Sequence, residues 1–193
     1  MRFSTLFAAA ALMFAACRPT NAATPYAPYP ETKPGTVYHF IAYEANKAGK
    51  LQKKGNATIT VDNSVKVGAH EYIRISKKIG DKDLGEEYFR FDDAFWLLGN
   101  PNSEAALIRV FDAPPKIGAQ IQSSSMMTKV INEEDPVIEG TNYKNLVAVE
   151  YYAAGTLRLR YVIDRDMGHV KSILYKADGT VFGELRREPK AEL

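Results

Sequence analysis

Gly155-Thr156-Leu157-Arg158-Leu159-Arg160-Tyr161-Val162-Ile163-Asp164-Arg165-Asp166-Met167-Gly168-His169-Val170-Lys171 alternates apolar and basic side chains, turns at a glycine and alternates again. Successive side chains of a strand point to opposite faces, so this is how a two-faced antiparallel hairpin reads. It sits within residues 141–187, where Ala153-Ala154-Gly155 and Ala177-Asp178-Gly179 mark further tight turns, the Asp-Gly pair being the stronger signal. The stretch decides architecture and carries no catalytic signature.

Upstream the same rhythm repeats. Strand-like runs rich in Val, Ile, Thr, Tyr and Phe occupy residues 36–43, 57–61, 65–67, 72–75, 88–91, 95–98 and 107–111, each bounded by Gly, Asn or Asp turn signals. Asp112-Ala113-Pro114-Pro115 is the clearest break, because two adjacent prolines cannot continue a ladder, and it divides the chain at residues 112–116. The halves align weakly: Gly35 matches Gly118, Gly68 matches Gly140, and Gly68 to Asp92 and Gly140 to Asp164 both span 24 positions. The expectation is an all-β protein, a strongly curved antiparallel sheet or open β-barrel of about ten to twelve strands, within one domain over residues 35–193. A real duplication would make it two similar meanders.

The N-terminus reads as an export signal. A short cationic start at Arg2 leads into an apolar run from Phe3 to Ala16, too short for a spanning helix. Thr20-Asn21-Ala22 offers small residues before a cut, which would make residues 1–22 a signal peptide. Phe14-Ala15-Ala16-Cys17 offers the alternative of a bacterial lipobox, with removal of residues 1–16 and a lipidated Cys17. Release after Ala22 is slightly preferred, and membrane association is expected only if Cys17 is lipidated. Cys17 is the single cysteine, so no disulfide can form within the chain. Residues 23–34 hold Pro25, Pro28, Pro30 and Pro34 and read as an extended, solvated tether, with a Pro/Tyr docking motif for an envelope partner as the alternative.

Charge excludes one class of partner. The formal net charge is +2, but Arg2 and Arg18 belong to the leader, and the remaining chain carries 23 Lys/Arg against 23 Asp/Glu. Nucleic-acid binding needs clustered excess cations and is not expected.

No nucleophile elbow, phosphate loop, dinucleotide fingerprint or zinc-protease helix motif is present. His39, His70 and His169 are each alone in their segments, so neither a metal site nor a cofactor is indicated, and His39 reads as a half-buried strand residue. Asp92-Asp93, Glu86-Glu87 and Glu133-Glu134-Asp135 are neighbours that alternate across a strand, and read as turn and solvent groups. Arg74, Arg90, Arg158 and Arg160 alternate with apolar residues and read as a solvated outer face. The aromatic content of 11 Tyr, 9 Phe and one Trp reads first as core. Its functional reading is a concave apolar cavity for an acyl chain or amphipathic ligand, lined by Phe89, Phe91, Trp96, Met126 and Tyr161.

Gly140, Tyr143, Leu146-Val147-Ala148-Val149, Gly155, Tyr161, Gly168-His169-Val170-Lys171 and Asp178-Gly179 together resemble a broad group of bacterial secreted and lipoprotein β-domains. The chain also looks like the open barrels of periplasmic lipoprotein carriers of the LolA and LolB type. These resemblances imply an exported protein, periplasmic or anchored to the envelope; the missing catalytic motifs and the aromatic and Met-rich strands make a non-enzymatic module that binds a lipid or small apolar ligand the first expectation. A protein-interaction or structural envelope component is the second reading, requiring a filled core and an exposed edge. A hydrolase assembled from distant strands is the third. Intact mass of the envelope and soluble fractions separates the two processing routes: a soluble chain beginning at Ala23 is expected, and an acylated chain beginning at Cys17 in the membrane fraction would replace it.

Overall fold

The computed structural model describes residues 25–99, 101–102, 107–123 and 126–189. Both processing sites and Cys17 lie outside these residues. The described chain is all-β. Its strands are β1 (Val37–Ala45), β2 (Leu51–Val61), β3 (Val65–Val67), β4 (His70–Ile79), β5 (Lys82–Phe91), β6 (Ala94–Leu98), β7 (Leu107–Asp112), β8 (Gln120–Ser123), β9 (Met126–Asn132), β10 (Val137–Ile138), β11 (Thr141–Asn142), β12 (Leu146–Ala153), β13 (Thr156–Asp164), β14 (Gly168–Tyr175) and β15 (Val181–Arg187).

Twelve of them form a nearly closed antiparallel barrel in the order β7-β6-β5-β4-β2-β1-β15-β14-β13-β12-β9-β8. That order is two six-strand meanders joined where β1 pairs with β15, from Phe40 opposite Arg187 to Glu44 opposite Gly183. β3 folds back on β4, and β10–β11 forms a separate two-stranded ribbon. The helices that line the cavity of lipoprotein carriers have no counterpart among the described residues.

The alternation that defined the opening hairpin is explained by two layers of cover. Arg158 is exposed on the first half of β13, and Arg160 is flanked by Glu150 at 3.6 Å and Glu133 at 3.8 Å. At Val162-Ile163 the alternation ends, because both faces are buried. Ile163 packs into the barrel, while Val162 packs outside it with Ile138 of the ribbon and Tyr143 just beyond. The first half does the same on a smaller scale, with Val67 of β3 packing on Tyr72 and Leu98. The arginines of the first half are likewise paired rather than merely solvated: Arg74 lies 3.5 Å from Asp62, and Arg90 lies 2.8 Å from Asp92.

The two halves repeat in detail. Gly35 donates its N–H to the Val61 carbonyl at 2.8 Å, and Gly118 donates to Val130 at 2.8 Å. Both have left-handed φ, +89° and +87°, where a side chain would be strained. Val61 returns a bond to Thr36, and Val130 returns one to Ala119, both at 2.9 Å. Asp92 and Asp164 each accept from the backbone N–H two residues on. The Gly68–Gly140 match is displaced by one residue: Gly68 opens its two-residue turn, whereas Gly140 closes one opened by Glu139.

The expected break at residues 112–116 falls where the chain leaves one edge of the sheet at β7 and resumes at the other with β8. By the internal repeat, β7 beside β8 corresponds to β15 beside β1. Among the described residues the second junction is a ladder and the first is not. The Thr128 hydroxyl, on β9, donates to the Val110 carbonyl of β7 at 2.7 Å across this seam. Replacing it with Thr128→Val should lower unfolding free energy by about 1 kcal/mol, the usual net worth of one hydrogen bond. Hydrogen exchange should rise first in β7 and β8, read by mass spectrometry on peptic peptides.

Candidate functional site

The expected solvated tether is in part buried. Ala27, Pro28 and Tyr29 pack into one end of the barrel, with Tyr29 only 5% exposed. Three prolines in residues 25–30 leave too few N–H donors for a ladder, so the segment docks by scattered bonds instead. Tyr26 donates its N–H to the Arg165 carbonyl at 2.7 Å, and His169 donates its backbone N–H to the Pro28 carbonyl at 2.8 Å. The Tyr38 hydroxyl grips Glu31 from both sides, accepting from its N–H at 2.8 Å and donating to its carbonyl at 2.7 Å.

Gly168 makes this docking possible. A Cβ there would meet the Pro28 carbonyl and the Pro30 ring at 2.6 Å and the Ala27 carbonyl at 2.7 Å. Its φ of +74° also favours glycine. The Gly168-His169-Val170-Lys171 element, which reads as a turn in sequence, is therefore a receiving surface.

The Tyr29 ring enters an aromatic chamber. Its centroid lies 5.2 Å from Phe89, 5.5 Å from Tyr38 and 6.1 Å edge-on from His169. His169 in turn packs 4.9 Å from Phe40 and 5.0 Å from Tyr161. Behind Tyr29 the remaining void is about 10 Å³, lined by residues that include Glu87, Phe95, Tyr161 and His169. That is about one water-sized probe, far below the few hundred Å³ of a ligand cavity.

Burial holds the chamber's histidine and tyrosines neutral. Burial lowers the His169 pKa to about 3, and the cationic Arg187 and Lys77 push the same way, against a smaller opposing contribution from the Lys171 backbone. Burial also raises Tyr29, Tyr151 and Tyr161 well above the ordinary phenol range. The His169 Nε2 lies 2.6 Å from the Ser172 hydroxyl, while its Nδ1 and the Tyr151 hydroxyl are buried without a hydrogen-bond partner. Arg187 braces the rim, donating to the Met167 and His169 carbonyls at 3.3 and 3.2 Å with its guanidinium 4.8 Å from the Tyr38 ring. Lys77 pairs with Glu87 in the same region.

The five residues expected to line a ligand cavity part company here. Phe89, Phe91, Met126 and Tyr161 belong to the barrel core. Phe89 meets the chain's own Tyr29, and Tyr161 meets His169 and Tyr151. Trp96 lies outside that core. It donates Nε1–H to Asp92 at 3.1 Å, with the Arg90 and Arg109 guanidiniums each 5.3 Å from its ring. His39 is exposed rather than half-buried. Sequence reasoning missed Tyr29, Ser172 and Arg187. The Pro-Tyr-Ala-Pro-Tyr-Pro run was the one available signal, and it packs on the chain's own barrel, whereas the docking expectation named an envelope partner.

A separate open groove of about 330 Å³ runs beside the plug, lined by Thr32, Pro34, Asp62, Ser64, Glu71, Ile73, Arg90 and Phe91. Its charges are already engaged, Asp62 with Arg74, Glu71 with Ser64, and Arg90 with Asp92. The Ser172–His169 pair has nucleophile-and-base chemistry in principle. It has no carboxylate on Nδ1 and no adjoining space for a substrate.

Fold and site together define a nearly closed, self-plugged antiparallel β-barrel. No protein-family model matches the chain, and no characterised protein matches it in sequence. A Bacteroides fragilis protein described as exported, with a YmcC-like fold, superposes with a TM-score of 0.47 at 15% identity, covering 86% of this chain and 98% of that one. At that distance the likeness carries no inference about activity.

The buried histidine predicts a pH dependence. Folding holds the His169 pKa at about 3 against an ordinary 6.5, so between these values the unfolded chain binds the proton that the folded chain refuses. This contribution is intact above pH 6.5 and is lost as pH falls, by up to about 1.4 kcal/mol per pH unit. Urea midpoints at pH 7 and pH 5 should show it, and His169→Leu should flatten the difference.

Proposed function

We propose that the protein is an exported, non-enzymatic component of the cell envelope that works through protein contacts, as a filled barrel and not as an open cup for lipid. The observation that carries this reading is the filled aromatic chamber: Tyr29 occupies it, and about 10 Å³ remains beside it. The seam adds support. β8 has β9 as its ladder partner and faces β7 across a junction without a ladder among the described residues, so the barrel keeps two strand edges at this place. Export rests on the leader read in the sequence and on its resemblance to secreted β-domains.

The alternative expectation, an apolar ligand held in the curve of the sheet, needs space that this conformation does not provide. Native mass spectrometry of the mature protein from its own envelope fraction tests the choice. The polypeptide mass, with Cys17 acylation if present and nothing else bound, is expected. A co-purifying lipid released on mild activation would overturn the interaction reading.

A further inference from the structure

We propose that the plugged barrel end is a recognition site for bent, proline-flanked tyrosine peptides, and that residues 25–31 are its ligand in cis. The partner it fits is a protein segment of the Pro-Tyr-Pro kind. This deepens the protein-contact reading above and depends on it.

Every element of a peptide site is present at this end. The receiving surface offers a backbone carbonyl at Arg165, a backbone N–H at His169 and a tyrosine hydroxyl that bonds both polar groups of one peptide unit at Glu31. These bonds are made by the main chain of a segment that turns at Tyr26, whose φ is +62°, and bends over residues 28–30, and they depend on no particular side chain. Gly168 lets the peptide backbone approach to a distance that any Cβ would block. Tyr38, Phe89 and His169 supply an aromatic socket for one inserted ring. An aromatic socket suits a proline-rich segment, because the prolines restrict the free chain and reduce the entropy lost on docking.

The segment that fills the site behaves as a bound peptide and not as a strand. It shares no ladder with the sheet, and the barrel is joined through β1 and β15 independently of it. Glu31, Thr32, Lys33 and Pro34, which connect it to β1, are all exposed. A small void of about 10 Å³ remains beside Tyr29 and His169. A tethered ligand competes at an effective concentration in the millimolar range, so the site is silent toward a partner until that partner out-competes it or the tether is drawn away.

The test uses the mature chain and a labelled peptide of residues 23–33. Tyr29→Ala empties the socket while leaving the receiving surface intact, and the peptide should bind it at least about tenfold more tightly than it binds the wild-type chain. Adding Gly168→Ala to Tyr29→Ala should abolish that binding, because the new methyl occupies the peptide's path. A peptide carrying Ala in place of the residue equivalent to Tyr29 should not bind.

The wild-type protein supplies a readout that does not rely on either variant folding. Excess peptide should expose the chain's own Tyr26–Ala27 bond and speed its cleavage by chymotrypsin, scored by intact mass. Absence of peptide binding to folded Tyr29→Ala, equal binding after Gly168→Ala, or no effect on that cleavage would each overturn the proposal. So would release of the plug by decanoate but not by peptide, which would assign the socket to lipid. A bare native mass with no peptide binding would sink this inference and leave the protein-contact reading standing.

Discussion

A barrel of about eight strands is just filled by its own inward side chains, and larger barrels enclose a lumen. Twelve strands therefore leave an interior that must be filled, wetted or offered to a guest. This chain fills it with rings: Phe40, Phe89, Phe95 and Phe111 from the wall, and Tyr29 from outside the sheet. The last is the decisive one, because it reaches the chamber only if the backbone bearing it can lie flush against the rim. Gly168 provides that approach, and Arg187 and Tyr38 fix the rim around it. Without this closure the aromatic wall would face water.

The same need for cover explains the outside of the molecule. A strand buried on both faces must have something on each, and here two short ribbons supply it. β10–β11 covers the outer faces of β12, β13 and β14 through Ile138, and β3 covers β4 and β6 through Val67. Where no ribbon reaches, arginines alternate with the inward residues and meet carboxylates, as Arg160 does with Glu150 and Glu133. Near-neutral overall charge follows from this pairing across neighbouring strands. The exposed pairs, such as Lys54 with Glu44 at 2.8 Å, add little stability and define the surface more than they hold it.

The internal repeat sets where the barrel is weakest. Two equivalent meanders create two equivalent junctions. One is zipped by the last strand against the first, and the other must accommodate the connection that follows Asp112. The proline pair there cannot extend β7, and β8 is only four residues long as described. The result is a seam bridged by a side-chain bond from Thr128 instead of a ladder. A junction held by few hydrogen bonds is the natural point of local opening.

How much was legible in the sequence follows from the range of the interactions involved. Strands, turns and the division at Pro114-Pro115 are local, set by period-2 alternation and by φ requirements at positions such as Gly35 and Gly118, and they are readable residue by residue. The all-β class, the approximate strand number and the two-meander plan came from these. The candidate site was not legible, because a strand's pattern says which residues share a face but not what arrives to cover that face. Phe89 and Tyr161 could be assigned to a concave aromatic surface, whereas Trp96, equally aromatic and close in sequence, lies on the outer side between two arginines. Only the tertiary structure brought Tyr29 to that surface. A proline-rich segment has no hydrophobic period and few donors, and its destination is fixed by the space left inside a closed barrel and by one glycine well over a hundred residues away.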